Sequence, residues 1–215
     1  MIPVIINNRN LLTWPRKMIE YISKFDMVGE IIILDNDSTY EPLLEWYSET
    51  DIRVVRTENL GHHAPWISGL VNSLESDYYV VTDPDLDLSI TPTDCLTKSI
   101  SILEKFPDYG KVGLTLDFHD VPIDSPYYDH IQSYEKSRQT QSTELEGCLI
   151  NVLIDTTFAV YNIKDAFIGG VSLVDYRAKH IPWYFTPEER DSDVEFKHYL
   201  DNANISCSYK SFLNL

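Results

Sequence analysis

No run of lysine or arginine appears in the 215 residues, and 17 basic side chains face 34 acidic ones, for a formal charge of −17. A partner bound through its phosphates, whether nucleic acid or an anionic membrane, has no basic stretch to meet. Cysteine is scarce as well. Cys95, Cys148 and Cys207 are odd in number, widely spaced and form no CxxC pair, which argues against a disulfide framework and for a reducing compartment. Also missing are a long apolar stretch and a basic leader, since Met1-Ile2-Pro3 runs straight into a strand-like segment. These absences point to a cytoplasmic protein without a membrane span. There is no internal repeat and no low-complexity linker.

What is present is a chain with 43% hydrophobic residues, long enough to bury one sizeable core, so a single domain over 1–215 is expected. Its first half alternates strand and helix signals. Pro3 to Ile6 reads as a strand, Asn7 to Asn10 as a polar loop, and Leu11 to Phe25 as a helix with apolar Leu12, Met18, Ile19 and Ile22. The pattern returns with a strand at Glu30 to Leu34, a loop at Asp35 to Ser38 and a helix at Glu41 to Ser48. A strand at Ile52 to Val55, a loop at Arg56 to His63, a helix at Ala64 to Leu74 and the apolar strand Tyr78 to Thr82 follow. Such alternation predicts a mostly parallel, doubly wound sheet flanked by helices, with Tyr78 to Thr82 buried on both faces.

Beyond it, the spacing predicts a helix over Pro92 to Phe106 and a strand over Lys111 to Leu116. Asp117 to Glu146 is polar and weakly periodic, with one short helix near Tyr128 to Lys136, and reads as a mobile or ligand-covering segment. Ile150 to Ile154 and Thr157 to Tyr161 read as a hairpin or two consecutive strands. An irregular stretch at Tyr176 to Arg190, a helix at Val194 to Asn202 and a strand at Ser206 to Phe212 complete the chain.

In an open parallel sheet, ligands bind outside the carboxyl ends of the strands. The loops there hold Asn7 to Asn10, Asp35 to Ser38, Glu58 to His63 and Asp83 to Asp87. Asp83 and Asp85 flank Pro84 directly after the buried strand, and oxygen-rich pairs of this kind suit hard divalent cations that also take phosphate oxygens. Asp-Pro-Asp is also an ordinary turn, and Asp35 an ordinary cap.

The run Ile31 to Leu34 followed by Asp35-Asn36-Asp37-Ser38, then Asn59-Leu60-Gly61, then Thr82-Asp83-Pro84-Asp85, resembles family-2-like glycosyltransferases of the GT-A fold, in motif order and spacing over about Val4 to Leu88. That resemblance implies a nucleotide-binding half over 1–90 and an acceptor-side half over 91–215. It implies transfer of a hexose from a nucleoside-diphosphate sugar, a UDP-sugar by default, to a hydroxyl of a glycan or glycoprotein. It further implies that Asp35 accepts from the base, that Asn7, Arg9, Asn59, Gly61 and Asp83 line the nucleotide, and that Asp83 and Asp85 hold Mn²⁺ or Mg²⁺. His180 stands where several such enzymes place a third metal ligand. More loosely, the compact form resembles transferases of large algal DNA viruses, which would put it in a host cytoplasm.

The second half matches less closely. Thr156 to Tyr161 and Gly169-Gly170-Val171 resemble the acceptor-side strand and glycine turn of the same family, but its Glu-Asp base motif is replaced by Glu188 to Phe196. Asp193 is favoured as general base, then Asp191 and Glu189, with helix capping as the alternative role. Arg177 and Lys179 are candidate phosphate contacts, Trp66 and Trp183 candidate sugar platforms, and His62, His63 and His198 polar residues near the same loops. A nucleotidyltransferase is the first rival, disfavoured because Asn7-Asn8-Arg9-Asn10 lacks glycine. A non-catalytic nucleotide-sugar-binding module is the second.

Overall fold

A computed structural model of the chain describes residues 1–150, 154, 157–164 and 166–203. In chain order, β1 (Ile2–Asn8), α1 (Thr13–Ile22), β2 (Val28–Asn36), α2 (Glu41–Glu49) and β3 (Arg53–Thr57) form the first half-wound unit. A short α3 (Ala64–Ile67) leads to β4 (Tyr78–Thr82), β5 (Leu86–Asp87), α4 (Cys95–Lys105) and β6 (Lys111–Leu116). Then come α5 (Tyr128–Gln141), β7 (Thr143–Leu145), β8 (Cys148–Ile150), β9 (Phe158–Asn162), β10 (Gly170–His180), α6 (Pro187–Ser192) and α7 (Val194–Asn202).

The strands join one mixed sheet in the order β3-β2-β1-β4-β9-β6-β10-β8-β7, with β5 attached to β10. β3, β2, β1 and β4 are parallel neighbours, as the strand-helix alternation requires. β9 runs antiparallel between β4 and β6, and β10 returns parallel beside β6.

Alternation along the strands explains why the sheet is buried on both faces. Val4, Ile6 and Val80 pack with Met18 and Ile22 of α1 and with Leu96 and Leu103 of α4. Ile5, Tyr79 and Val81 point the other way, to Ala64, Leu70 and Val71. Each fully buried aliphatic side chain of this kind contributes about 1.5–3 kcal/mol. A third cluster joins Leu11 and Trp14 to Phe118, Val121, Tyr127, Ile131, Trp183 and Phe196.

Several elements depart from what the sequence leads one to expect. The expected helix over Ala64 to Leu74 is a single turn of α-helix flanked by 3-10 turns, because Gly69 takes φ +79° and ends it. Asp117 to Glu146 packs through Phe118, Val121, Tyr127 and Ile131 into the third cluster, and its expected short helix runs on to Gln141, while Ile123, Tyr134 and Leu145 stay exposed. β8 and β9 form no hairpin: β9 inserts between β4 and β6, while β8 pairs with β7 and β10. The stretch expected to be irregular from Tyr176 to Arg190 begins as the end of the 11-residue β10, through His180, and continues in a 3-10 turn and α6. The register with β6 shifts between Leu173 and Arg177, so no clean alternation marks it in sequence. The expected strand Ser206 to Phe212, Thr156 and most of Ile150 to Ile154 lie outside the described residues.

Candidate functional site

The loops after β1, β2 and β3 meet, and asparagine side chains knit them. Asn10, in the left-handed region at φ 56°, donates its backbone N–H to Ser38 Oγ at 2.8 Å. Its Oδ1 accepts from the backbone N–H groups of Thr39 and Tyr40 at 2.6 and 3.1 Å. Asn36 reaches the next loop, accepting from Leu60 N at 2.7 Å and donating to the Gly61 carbonyl at 2.9 Å. Asn7 donates to that same carbonyl at 3.2 Å, and Asn59 Oδ1 accepts from Gly61 N at 3.2 Å. Gly61, at φ +70°, is the residue type such a turn favours. Asn7 Oδ1, Asn8 Oδ1, Arg9 Nε and Asn10 Nδ2 are shielded from solvent and meet no hydrogen-bond partner among the described residues. Orphan polar atoms of this kind cost about 1–3 kcal/mol each when nothing meets them, and they collect at functional sites.

Asp35 is fully buried at the carboxyl end of β2. Tyr47 of α2 donates to its Oδ1 at 3.3 Å, while Arg56 Nε and Ser38 N donate to Oδ2 at 3.0 and 3.3 Å. Asn8 in turn donates to Tyr47 Oη at 2.9 Å. Burial, and then the Asp35 charge, push the Tyr47 phenol far above its ordinary range, so it stays a donor. Neither Tyr47 nor Arg56 stands out in the sequence as a site residue. Nothing in the sequence marks them, because Arg56 meets Asp35 only through the register of β2 and β3.

At the end of β4, Thr82 Oγ1 and the half-buried Asp83 backbone N–H both donate to the Thr157 carbonyl, at 2.8 and 3.1 Å. The chain then turns through Pro84 into β5, which pairs antiparallel with the end of β10 so that Leu86 faces His180. Ile181 N donates to the Asp85 carbonyl at 2.9 Å. His180 Nε2 consequently lies 3.5 Å from Asp85 Oδ1, with both side chains largely buried. The His180 ring stacks on Trp183 at 5.0 Å and 26°. Burial pushes the Asp85 carboxyl up, and the His180 charge pulls it partly back. Among the described residues, no cluster of at least three His, Cys, Asp or Glu side chains has the spacing of a metal site.

The acids proposed for the base sit at helix ends. Asp193 caps α7, its Oδ1 accepting from Phe196 N at 2.8 Å. Glu189 forms a capping box with Thr186, and Asp191 is exposed and ion-paired with Arg190 at 2.7 Å. Glu195, which the sequence did not single out, is buried and spans the fold. It accepts from Leu12 N at 2.8 Å and from Thr13 N and Oγ1 at 3.0 and 2.8 Å, capping α1 from α7.

The remaining candidates are engaged elsewhere. Lys179 bonds to Asp120, which also accepts from Tyr184 Oη at 2.7 Å, and Arg177 lies 3.9 Å from Asp117. Asp120 is held below the usual carboxylate range by Lys179. Trp66 donates to Tyr79 Oη at 2.9 Å, Trp183 is buried, and the His62 and His63 rings lie 3.9 Å apart, tilted at 46°. His198 contacts Thr39 at 3.3 Å. Beside Thr157 lies a small cleft of about 30 Å³, room for a water, whose polar wall is Thr115, Glu135, Arg138 and Ser172.

No protein-family model matches the sequence, and a search of curated proteins finds no match. Solved structures do match in fold. A mannosyltransferase from Pyrobaculum calidifontis, in complex with GDP-Man and Mn²⁺, superposes with TM-score 0.54 at 12% identity, over 99% of this chain and 68% of that one. The CMP:2-keto-3-deoxy-manno-octonic acid synthetase complexed with CTP gives TM-score 0.46 at 8% identity, over 94% and 86%. Glucosyl-3-phosphoglycerate synthase from Mycobacterium tuberculosis, with Mn²⁺, UDP-glucose and phosphoglyceric acid, gives 0.47 at 18% identity, over 76% of this chain and 57% of that one. The fold is the GT-A, Rossmann-like arrangement of a central sheet flanked by helices.

Proposed function

We propose that this chain is a metal-dependent glycosyltransferase that moves a hexose from a nucleoside-diphosphate sugar to a hydroxyl acceptor on a glycan or glycoprotein. The observation that carries the reading is the meeting of Asp85 and His180 at 3.5 Å on the rim where the parallel strands end. Asp83 and Asp85 would offer the carboxylate oxygens that Mn²⁺ or Mg²⁺ takes and His180 a nitrogen that Mg²⁺ does not favour, although the three are not gathered at the spacing of a ready-made metal site. When bound, the cation offsets the charge that develops on the departing nucleoside diphosphate.

The chain's own residues do the rest. The Asn7 to Asn10 loop, Asn59 and the Gly61 backbone wall the nucleotide, and the asparagine network fixes that wall before the donor arrives. Arg9 lines the same pocket through its backbone, and Asp83 faces the ribose or the metal. UDP is the donor nucleotide that the sequence resemblance implies through Asp35, and the base is taken up below. In this scheme 91–215 is the acceptor-side half of a single domain. Asp193 is the base in this scheme, because its second carboxylate oxygen has no partner among the described residues, with Asp191 and Glu189 behind it.

The reading is tested by incubating the purified chain with GDP- and UDP-hexoses in Mn²⁺, Mg²⁺ and EDTA and following release of the nucleoside diphosphate. Release that requires metal and is lost in Asp85→Asn supports it. Metal-independent release, or none from any donor by folded protein, contradicts it.

A further inference from the structure

Asp35 is the residue through which the resemblance implies recognition of uracil, whose N3–H needs an acceptor. Its carboxylate is fully buried and already accepts from Tyr47, Arg56 and Ser38. What stands between this carboxylate and solvent is the Arg56 side chain, 56% exposed. Asp35 takes its Nε, and the Ser38 carbonyl accepts from its Nη2 at 3.2 Å. These two contacts fix the plane of the guanidinium and leave one N–H of Nη2 and both of Nη1, the two nitrogens of its outer fork, without a partner among the described residues. The group offered to a base is therefore a rigid donor with no acceptor capacity.

We propose that Arg56 selects the donor nucleotide and that the base it selects is guanine, making the donor a GDP-sugar. This rests on the nucleotide-sugar reading above. Guanine presents two adjacent acceptors, O6 and N7, to a guanidinium fork. Uracil offers the fork only O4 on that side, and adenine and cytosine place an amino donor against it. Asp35 then serves as a positioning residue, holding Arg56 in place rather than touching the base.

The test is calorimetric titration of the full chain with GDP, UDP and ADP in Mn²⁺, on the parent, Arg56→Ala and Arg56→Lys. The expected result is GDP preferred over UDP and ADP by about tenfold or more, the discrimination of one bidentate pair. Arg56→Ala removes the preference by weakening GDP alone, and Arg56→Lys, which keeps the charge but not the fork, also loses it. UDP bound as tightly as GDP, or a loss in Arg56→Ala shared equally by all nucleotides, overturns the proposal while leaving the transferase reading standing. Absence of binding to every nucleotide, by protein with a native circular dichroism spectrum, overturns both.

Discussion

His180 Nε2 lies 3.5 Å from Asp85 Oδ1, although one residue closes the longest strand and the other follows β4. The two-residue β5 is what joins them, because its pairing with β10 fixes Leu86 against His180. Both are largely buried and face each other, so replacing either also takes a buried partner from the other. Asp85→Asn and His180→Ala are each expected to lower metal-dependent turnover about a hundredfold, near 3 kcal/mol, and to lower the thermal midpoint, the more so in His180→Ala, which also loses the Trp183 stack. Assay of donor hydrolysis against Mn²⁺ concentration checks this, and an unchanged metal dependence would count against the site.

Tyr47→Phe removes one hydroxyl and strands the Oδ1 of buried Asp35, while Asn8 Nδ2 keeps its bond to the Leu11 carbonyl at 2.8 Å. A loss of about 1–3 kcal/mol in stability is expected, together with weaker nucleotide binding as Arg56 loses its fixed partner. Urea unfolding and titration with nucleotide measure the two effects separately.

Glu195→Ala leaves the first N–H groups of α1 uncapped and detaches α7 from the loop after β1. The expected cost is about 2–3 kcal/mol, more than a surface cap, because the carboxylate is buried. Chemical denaturation of Glu195→Ala and Glu195→Gln reads it, with Gln recovering part of the loss. Equal stability of all three proteins would show that the clamp contributes nothing.

Burial pushes the Cys95 thiol up to about 12 from an ordinary 9.0. A raised folded value means the unfolded chain loses its proton first, so stability is full below about pH 9 and falls as pH rises toward 12. At pH 8, Cys95 is expected to react with iodoacetamide only at the rate of unfolding. Peptide mapping after timed labelling checks it, and rapid labelling in native buffer would contradict the burial.

Much of this architecture was legible because apolar runs and polar loops alternate cleanly through the first half. β4 and β6 match their expected bounds, Tyr78 to Thr82 and Lys111 to Leu116, since each is a short strand walled by turn residues. α3 was overextended because the helical spacing from Ala64 runs on past Gly69, whose backbone breaks it. β10 was hidden by its register shift and by Asp175, Arg177 and Lys179, whose polarity masks a strand half exposed along that stretch.

The site was legible by residue type and not by partnership. Asp85 and His180 were candidates from their neighbours in sequence, but only the β5 to β10 pairing puts them together. The capping alternative for Asp193 and Glu189 was visible as acids at a helix start, and both do cap. Glu195 gave no signal because its partner is the start of α1, at the far end of the chain. Arg56 looked like a loop residue until the sheet register set it against Asp35.

The most direct test of the central claim is calorimetric titration of the purified chain with GDP and UDP, each in Mn²⁺ and in EDTA, alongside Asp85→Asn. Binding that needs Mn²⁺ in the parent and loses its metal dependence in Asp85→Asn is the predicted result. Nucleotide binding of equal strength with and without metal, or no binding by folded protein, would contradict a metal-assisted transferase built on Asp85 and His180.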